Sequence, residues 1–223
     1  MKLILFGATG MIGQGALIEC LDDPTVERVL AVVRRPTGQT HVKLVELVHK
    51  DYADYSAIEA ELSGYDACLF CLGISSSGLD EAEYTRITYD YTLAAARTLV
   101  RLNPGIRFVY VSGQGTDSTE KGRFMWARVK GRTENDLMKL LPHAYMFRPG
   151  FIQPVKGVVS ATRLYRAAYA TFGVLFPLFR WIAPNAVTTS EILGKAMIRA
   201  VAESRPSRIV DVPEINRLGA QPL

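Results

Sequence analysis

Short apolar runs alternate along this chain with longer stretches in which apolar residues recur every three or four positions. Short apolar runs are typical of strands that are buried on both faces, and the longer period is typical of helices. The predicted strands are Lys2–Phe6, Arg28–Val33, Lys43–Val48, Asp66–Leu72, Ile106–Ser112, Ala144–Arg148 and Ile209–Val212. Because helices separate most of these strands, the pattern predicts an α/β fold with a doubly wound parallel sheet.

The helical stretches also carry signals for where they begin and end. The predicted helices are Met11–Leu21, a helix between Glu81 and Leu102, one from about Arg123 to Leu141, and Ile192–Ala202. Thr188 and Glu191 have the spacing of a capping box before the last of these helices. The chain shows no internal repeat and no linker, so residues 1–223 are predicted to form a single domain.

Glycines follow the first predicted strand at three-residue spacing, at Gly7, Gly10 and Gly13. In a strand-turn-helix unit they allow a sharp turn, a close approach of backbone to phosphate, and close packing of the helix. The free N–H groups at the start of such a helix bind an anion. The motif predicts a Rossmann-like fold with a dinucleotide held by Gly7, Thr9, Gly10, Met11, Ile12 and Gly13. The alternative is a tight turn that binds no ligand.

Composition and charge restrict the classes of function. The chain has 223 residues, of which 48% are hydrophobic and 22% are charged, and these values are typical of a globular protein. A net charge of +4 favours anionic small molecules, because a nucleic-acid-binding protein would need a concentrated basic stripe. We therefore expect a small-molecule ligand and no nucleic acid.

Three cysteines, Cys20, Cys68 and Cys71, suit a reducing compartment better than a disulfide scaffold. Since the first strand begins at the second residue with no signal peptide before it, the expected location is the cytoplasm. Cys68 and Cys71 have C-x-x-C spacing but lie in a strand, where residues three apart point to opposite faces, so packing is favoured over redox chemistry. The three histidines show no ligand spacing, and no metal site is expected.

Arg34 and Arg35 directly follow the second strand. In this type of fold the residue at that position contacts the adenosine ribose, and an acidic residue there favours NAD. Guanidinium groups match the oxygens of a 2′-phosphate instead. The pair therefore favours NADP(H) over NAD(H), and the alternative is that both arginines are simply solvated at the strand end.

Two further strand ends are candidates for contact with the cofactor. Asp51 and Tyr52 follow the third strand and are predicted at the adenine edge. The fourth strand ends in Cys71, Leu72 and Gly73, whose small final residue would let backbone pass close to the cofactor.

Four segments together carry a resemblance to a known family: Gly7–Gly13, Phe108–Ser112, Val129–Gly131 and Arg148–Gly150. They resemble the atypical short-chain dehydrogenase/reductases over about residues 1–155. Within that superfamily the chain is most similar to the Tat-interacting-protein-like branch, an NADPH-binding group of oxidoreductase-like and regulatory proteins.

The resemblance implies roles for individual residues. Ser112 matches a serine that positions a substrate carbonyl, and Lys130 matches a lysine that holds the nicotinamide ribose. Gly150 and Phe151 would lie at the nicotinamide end, and residues 151–187 would form a small helical C-terminal cap over the substrate pocket. The catalytic tyrosine that active members carry four residues before the lysine is replaced by Trp126. An indole has no proton to exchange with a substrate, so ordinary carbonyl reduction is not expected.

Three hypotheses follow from the missing tyrosine. Hydride can pass from NADPH to a flavin, a quinone or a similar acceptor that collects its proton from water. The chain can instead be a catalytically inactive NADPH-sensing interaction protein. In the third hypothesis another tyrosine, Tyr84, Tyr89 or Tyr91, substitutes in space. The first hypothesis is preferred.

An aromatic stripe follows the main family segments. Tyr165, Tyr169, Phe172, Phe176 and Phe179 have helical spacing and would share one face. The uncharged stretch Ala167–Phe179 has 13 residues, fewer than the roughly 20 that a membrane-spanning helix needs. The stripe can cover the sheet, line an apolar substrate pocket, or let residues 163–183 touch a membrane surface or a protein partner.

Overall fold

The computed structural model describes residues 1–158, 183, 185–203 and 207–221. In these residues seven strands form one parallel sheet: β1 (Lys2–Phe6), β2 (Arg28–Val33), β3 (Leu44–Val48), β4 (Ala67–Phe70), β5 (Arg107–Val111), β6 (Ala144–Arg148) and β9 (Ile209–Asp211). Their order across the sheet is β3-β2-β1-β4-β5-β6-β9, and two further strands between β6 and β9 in the chain form a separate small sheet. The predicted doubly wound α/β fold is confirmed, and each predicted strand is present with its ends trimmed by at most two residues.

Helices cover both faces of the sheet. Those in the described ranges are α1 (Met11–Asp22), α2 (Glu81–Thr85), a π-helical segment (Arg86–Asp90), α3 (Tyr91–Leu102), α4 (Met125–Leu140), α5 (Ser190–Ala202) and α6 (Val212–Ala220), with a 3-10 turn at Ser56–Ile58. The predicted helix between Glu81 and Leu102 is one continuous helical stretch with the π-helical segment in its middle.

Two hydrophobic cores lie on opposite faces of the sheet. Leu3 and Leu5 of β1 belong to the core under α1 and α5. Ile4 and Phe6 belong to the core under α3 and α4. Successive side chains of a strand point to opposite faces, so a strand that is apolar at every position must be covered on both sides.

The structure corrects two details of the C-terminal elements. The side chain that caps α5 belongs to Thr189, which accepts a hydrogen bond from Ile192 N, so the predicted capping position at Thr188 is wrong by one residue. The sequence analysis also missed α6, which follows β9 directly. Asp211 caps α6 and a proline occupies its first turn, and both features are typical of a helix start.

A second, two-stranded parallel sheet pairs β7 (Phe151–Gln153) with β8 (Val187–Thr189). These strands stand at the two ends of the predicted cap over residues 151–187. The aromatic stripe, and the surface over 163–183 apart from Ala183, lie outside the described residues. Within the described part of the chain, no helix is both long enough and apolar enough to cross a membrane.

Candidate functional site

The site lies where the direction of strand order reverses. β1 pairs with β2 on one side and with β4 on the other, so the chain segments that leave these strands diverge. In an open parallel sheet this divergence leaves a crevice at the carboxyl ends of the strands. The glycine-rich turn after β1 occupies the floor of that crevice.

Two of the three glycines are required by the fold itself. Gly7 has a φ of 79°, and a Cβ built there would lie 2.6 Å from the carbonyl carbon of Cys71 after β4. A Cβ on Gly13 would overlap the carbonyl oxygen of Gly7. The first glycine therefore permits the turn, and the third lets α1 start directly against that turn.

Gly10 has no such structural need. Its φ of −80° and ψ of 162° suit any residue, and a built Cβ would meet only the Gly7 oxygen, at 3.4 Å. Gly10 is the N-cap of α1, and no side chain at this position accepts a hydrogen bond from the first turn of the helix. The amides of Met11, Ile12 and Gly13 open the helix, where N–H groups lack intrahelical acceptors. A bare backbone cradle of this kind fits the diphosphate of a dinucleotide.

A cavity of about 340 Å³, here called the lysine cavity, extends from this turn toward β5. The described residues that line it are Gly10, Met11, Ile12, Cys71, Leu72, Gly73, Ile74, Ser75, Val111, Ser112 and Lys130. Eight of the predicted site residues are therefore brought together around one space. Ile74, Ser75 and Val111 are additions that the sequence analysis did not make.

Lys130 carries the positive charge of this cavity. It lies on α4, and its ammonium group donates to the carbonyl oxygen of Ser112. Burial lowers the pKa of Lys130 to about 8, while the carboxylate of Glu134 acts in the opposite direction. An ammonium group has three donors, so two remain for hydroxyl groups of a ligand in the cavity.

The hydroxyl of Ser112 is hydrogen-bonded within the protein and is not directed at a substrate. Its Oγ lies 2.5 Å from Oε1 of Glu134 and 3.1 Å from the carbonyl oxygen of Phe147. The side chain is buried, with 6% exposed. Since a hydroxyl has a single proton to donate, this proton is used inside the protein. Ser112 thus lines the cavity while its hydroxyl is bonded behind it.

Trp126 lies one helical turn before Lys130 on α4, and its six-membered ring packs against Gly115, where a built Cβ would lie 3.3 Å from Cη2. The tyrosines considered as substitutes lie elsewhere. Tyr84 is buried, Tyr89 donates to Asp136 at 2.7 Å, and the ring of Tyr91 packs near that of Tyr52. None of the three is among the described residues that line the lysine cavity.

A second cavity of about 370 Å³ lies on the other side of the glycine turn and is here called the arginine cavity. Thr9, Arg34 and Arg35 line it. Both arginine side chains are exposed, and within the described ranges neither has an ion-pair partner. A guanidinium group can donate to two oxygens of a phosphate or carboxylate, so these two side chains could bind an anionic group in the cavity.

Six predicted site residues lie outside the described linings of both cavities: Gly7, Gly13, Asp51, Tyr52, Gly150 and Phe151. Tyr52 is only 5% exposed and packs its ring against Phe6, and Asp51 is exposed in a turn. A Cβ on Gly150 would overlap the carbonyl oxygen of Ala186, so this glycine allows β7 and the chain before β8 to approach. Phe151 is 38% exposed.

The cysteines are free thiols, and Cys68 packs into one core while Cys71 packs against the other. This arrangement agrees with the opposite faces predicted for C-x-x-C in a strand. Burial raises the pKa of Cys71 to about 12, so the thiol is not a ready nucleophile. Among the described residues, no group of three or more His, Cys, Asp or Glu side chains is placed to hold a metal ion.

The sequence analysis missed the charged pair behind Ser112. Glu134 is fully buried, and Arg148 donates from Nε to its two carboxylate oxygens at 3.0 and 3.2 Å and also from Nη2. The only sequence signal was position, because Glu134 follows Lys130 by four residues on the same helix. A glutamate on a buried helix face cannot be recognised without knowing which face is buried.

Comparison with known proteins identifies a family for the chain. A family model described as NAD(P)H-binding matches residues 7–139, more than half of the chain. The chain is similar to leucinostatins biosynthesis cluster protein T of Purpureocillium lilacinum, with 28% identity over 99% of this chain and 93% of the relative. It is also similar to protein fmp52, mitochondrial, of Emericella nidulans, with 25% identity over 89% of this chain and 86% of the relative.

Solved structures show the same fold at low identity. The Bordetella bronchiseptica enzyme WbmH in complex with NAD+ matches with a TM-score of 0.61 and 15% identity, covering 90% of this chain and 71% of that one. The UDP-N-acetylglucosamine 4-epimerase of Methanobrevibacter ruminantium M1 matches with a TM-score of 0.68 and 13% identity, over 95% and 76%. At such identities the likeness concerns the fold alone.

The relatives correct one expectation. Five curated relatives, at 25–29% identity, are FMP52 proteins whose names place them in mitochondria. The cytoplasmic location predicted from the sequence is contradicted by these names. The absence of a recognisable signal peptide was the basis of that prediction, and it does not distinguish the cytoplasm from the interior of an organelle.

Proposed function

Since this chain belongs to the NAD(P)H-binding family, we propose that it is an oxidoreductase that binds NADP(H) in preference to NAD(H) and reduces a quinone, a flavin or a similar acceptor. The observation that carries the proposal is the pair of cavities on either side of the glycine turn. A dinucleotide has its diphosphate in the middle and a nucleoside at each end, so one bound molecule would use the turn and both cavities.

The residues have distinct proposed roles. The amides that open α1 would bind the diphosphate, and Gly10 would let it approach. Arg34 and Arg35 would bind the 2′-phosphate of NADP(H), since they are the free cations of the arginine cavity. Lys130 would donate to the hydroxyls of the nicotinamide ribose. The reduced nicotinamide, when bound, supplies a hydride.

The chemistry around Lys130 limits the acceptor. Trp126 occupies the position of the tyrosine and carries no exchangeable acid, and the Ser112 hydroxyl is bonded to Glu134. Neither group is available to protonate an alkoxide as it forms. An acceptor whose reduced form takes its proton from water does not need such a group, so the site requires only correct placement of the two reactants. These features also support assignment to the atypical short-chain dehydrogenase/reductases.

Residues 151–187 are proposed to cover the acceptor. β7 and β8 hold the two ends of this segment side by side, and Phe151 stands at the start of β7 with an exposed ring. An apolar, flat acceptor would suit an aromatic neighbour of this kind.

Cofactor preference can be tested by fluorescence titration with NADPH and NADH. The wild type should bind NADPH more tightly than NADH. In the double variant Arg34→Ser with Arg35→Ser the affinity for NADPH should fall about 100-fold, because two charge-assisted contacts to one phosphate are removed. NADH affinity should change little. Arg97→Ser, on an exposed position of α3, is the matched control. Equal loss of both cofactors in the double variant would contradict the assignment of a 2′-phosphate to these residues.

Turnover needs a separate measurement. NADPH oxidation should be faster than the enzyme-free blank with at least one member of a panel of quinones and flavins. Tight NADPH binding with no turnover across the panel would contradict the oxidoreductase and favour a protein that only senses the cofactor.

A further inference from the structure

A fully buried carboxylate lies directly behind the lysine cavity and has no role in the proposed binding of cofactor. Glu134 has no exposed side-chain surface, and its partner Arg148 is 18% exposed. Arg148 also donates from Nη2 to Ser118 Oγ at 2.6 Å, which ties the pair to the loop after β5. Buried ion pairs are weak sources of stability, because desolvation offsets most of the attraction. The position of this pair therefore calls for another explanation.

The carboxylate is connected to Lys130 through one residue. Glu134 accepts the Ser112 hydroxyl proton at 2.5 Å, and the carbonyl oxygen of the same serine accepts from the Lys130 ammonium. Both bonds involve Ser112, one through its side chain and one through its backbone. Movement of the serine would thus move the acceptor that holds the lysine.

Glu134 also acts on Lys130 directly through its charge. The two residues are four apart on α4 and lie on one face of the helix. Burial disfavours the ammonium form, and the carboxylate is the group that opposes this effect. Among the described residues, the other polar side chains on the cavity wall are the Cys71 thiol and the hydroxyls of Ser75 and Ser112, which carry no charge at neutral pH.

We propose that Glu134 is a positioning residue for Lys130: clamped by Arg148, it fixes Ser112, whose carbonyl oxygen holds the lysine, and its charge keeps the lysine in the ammonium form. The serine then serves as a connector inside the protein rather than as a donor to substrate. This inference rests on the proposed role of Lys130 in binding the cofactor. It adds a residue that touches neither cofactor nor acceptor.

The direct test measures the protonation of Lys130 without cofactor. Trace labelling with acetic anhydride across a pH series, read by peptide mass spectrometry, reports the fraction of unprotonated amine at each lysine. The wild type should show a midpoint near pH 8 at Lys130. Glu134→Gln keeps the size and the hydrogen-bonding oxygen but removes the charge, and should lower that midpoint by about one pH unit. A purely structural role for Glu134 would leave the midpoint in place.

Two further variants keep the test decisive. Asp136 lies on the same helix, and its carboxylate accepts hydrogen bonds from Tyr89 and Lys139. Asp136→Asn removes this carboxylate and should leave the Lys130 midpoint unchanged. If Glu134→Gln does not fold, the double variant with Arg148→Met removes both buried charges, and it should also lower the midpoint. An unchanged midpoint in the folded Glu134 variant, single or double, overturns the proposal.

Cofactor affinity separates this inference from the proposed function. At pH 7.5 Glu134→Gln should bind NADPH about threefold more weakly than the wild type, since a midpoint that falls from about 8 to about 7 lowers the ammonium fraction of Lys130 about threefold. A wild type that binds no NADPH would refute the proposed function, while the labelling midpoint would still decide the link between Glu134 and Lys130. Normal NADPH affinity together with a shifted midpoint would overturn the view that this link serves the cofactor.

Discussion

Replacement of Gly10 by alanine should separate the folding role of the glycine turn from its binding role. Gly10 already has a conformation that alanine adopts, and the added Cβ would touch only the Gly7 oxygen at 3.4 Å, an ordinary van der Waals contact. The methyl group would then occupy the side of the turn where we propose that the diphosphate lies. The variant should fold normally and bind cofactor poorly.

The expected sizes follow from these contacts. Alanine is a slightly poorer N-cap than glycine but reduces the entropy of the unfolded chain, so the free energy of unfolding should change by less than about 1 kcal/mol. A hydrogen bond from an amide to a charged oxygen contributes about 1.5–3 kcal/mol. Loss of one or two such bonds to the amides that open α1 should weaken NADPH binding by about 100-fold.

The assay combines urea unfolding with a fluorescence titration of NADPH. Gly13→Ala is the matched comparison, because its Cβ would overlap the Gly7 carbonyl oxygen whether or not cofactor is present. Forcing backbone apart in this way should lower the free energy of unfolding by about 2–3 kcal/mol. Gly13→Ala should thus lose mainly stability, whereas Gly10→Ala should keep its stability and lose NADPH affinity.

Two results would refute the reasoning. If Gly10→Ala binds NADPH as tightly as the wild type, the diphosphate does not approach this turn. If Gly10→Ala instead loses more than about 2 kcal/mol of stability, the glycine is needed for folding and its openness to a ligand is not the reason for its presence.

Three other predictions concern α4 and its neighbours. Arg148→Met leaves Glu134 buried without its partner and should lower the free energy of unfolding by about 3–5 kcal/mol in urea, whereas Arg217→Met at an exposed ion pair should cost less than about 1 kcal/mol. Because burial lowers the pKa of Lys130 to about 8, raising the pH from about 7 to about 9 neutralises its ammonium group, and NADPH affinity should fall about tenfold, with no such step in Lys130→Met. Trp126→Tyr restores an exchangeable proton one turn before Lys130, and NADPH-dependent reduction of simple carbonyls should appear; no gain in a panel of aldehydes and ketones would mean that the residue does not face the acceptor.

Local patterns in the sequence were enough to predict most of the sheet and the glycine turn. β1 is apolar at every position from Leu3 to Phe6, and three glycines follow it, so the strand and the turn are both determined within 13 residues. The sequence also predicted that β2 ends directly before Arg34 and Arg35, and in the structure these two arginines line one cavity together with Thr9.

Features that depend on distant residues were not predictable in this way. Glu134 is a polar residue on a helix, and only its burial against β6 and Arg148 distinguishes it from a solvated glutamate. Tyr52 follows a strand end as a ligand-contacting residue would, but it packs into an aromatic group with Phe6 and Tyr55 under the sheet. In both cases tertiary packing, which sequence spacing does not report, decides where the side chain lies.

The pairing of β7 with β8 has a consequence for how relatives of this protein can diverge. Gln153 and Val187, which are 34 positions apart in the chain, lie at opposite ends of one short parallel ladder in which Phe151 pairs with Val187, so the chain leaves the ladder at one end and re-enters it at the other. A sequence inserted, shortened or exchanged between them would leave the registration of the large sheet untouched. Because we propose that residues 151–187 cover the acceptor, we expect exchange of this one segment between relatives to change the acceptor while the glycine turn and the large sheet keep their sequence.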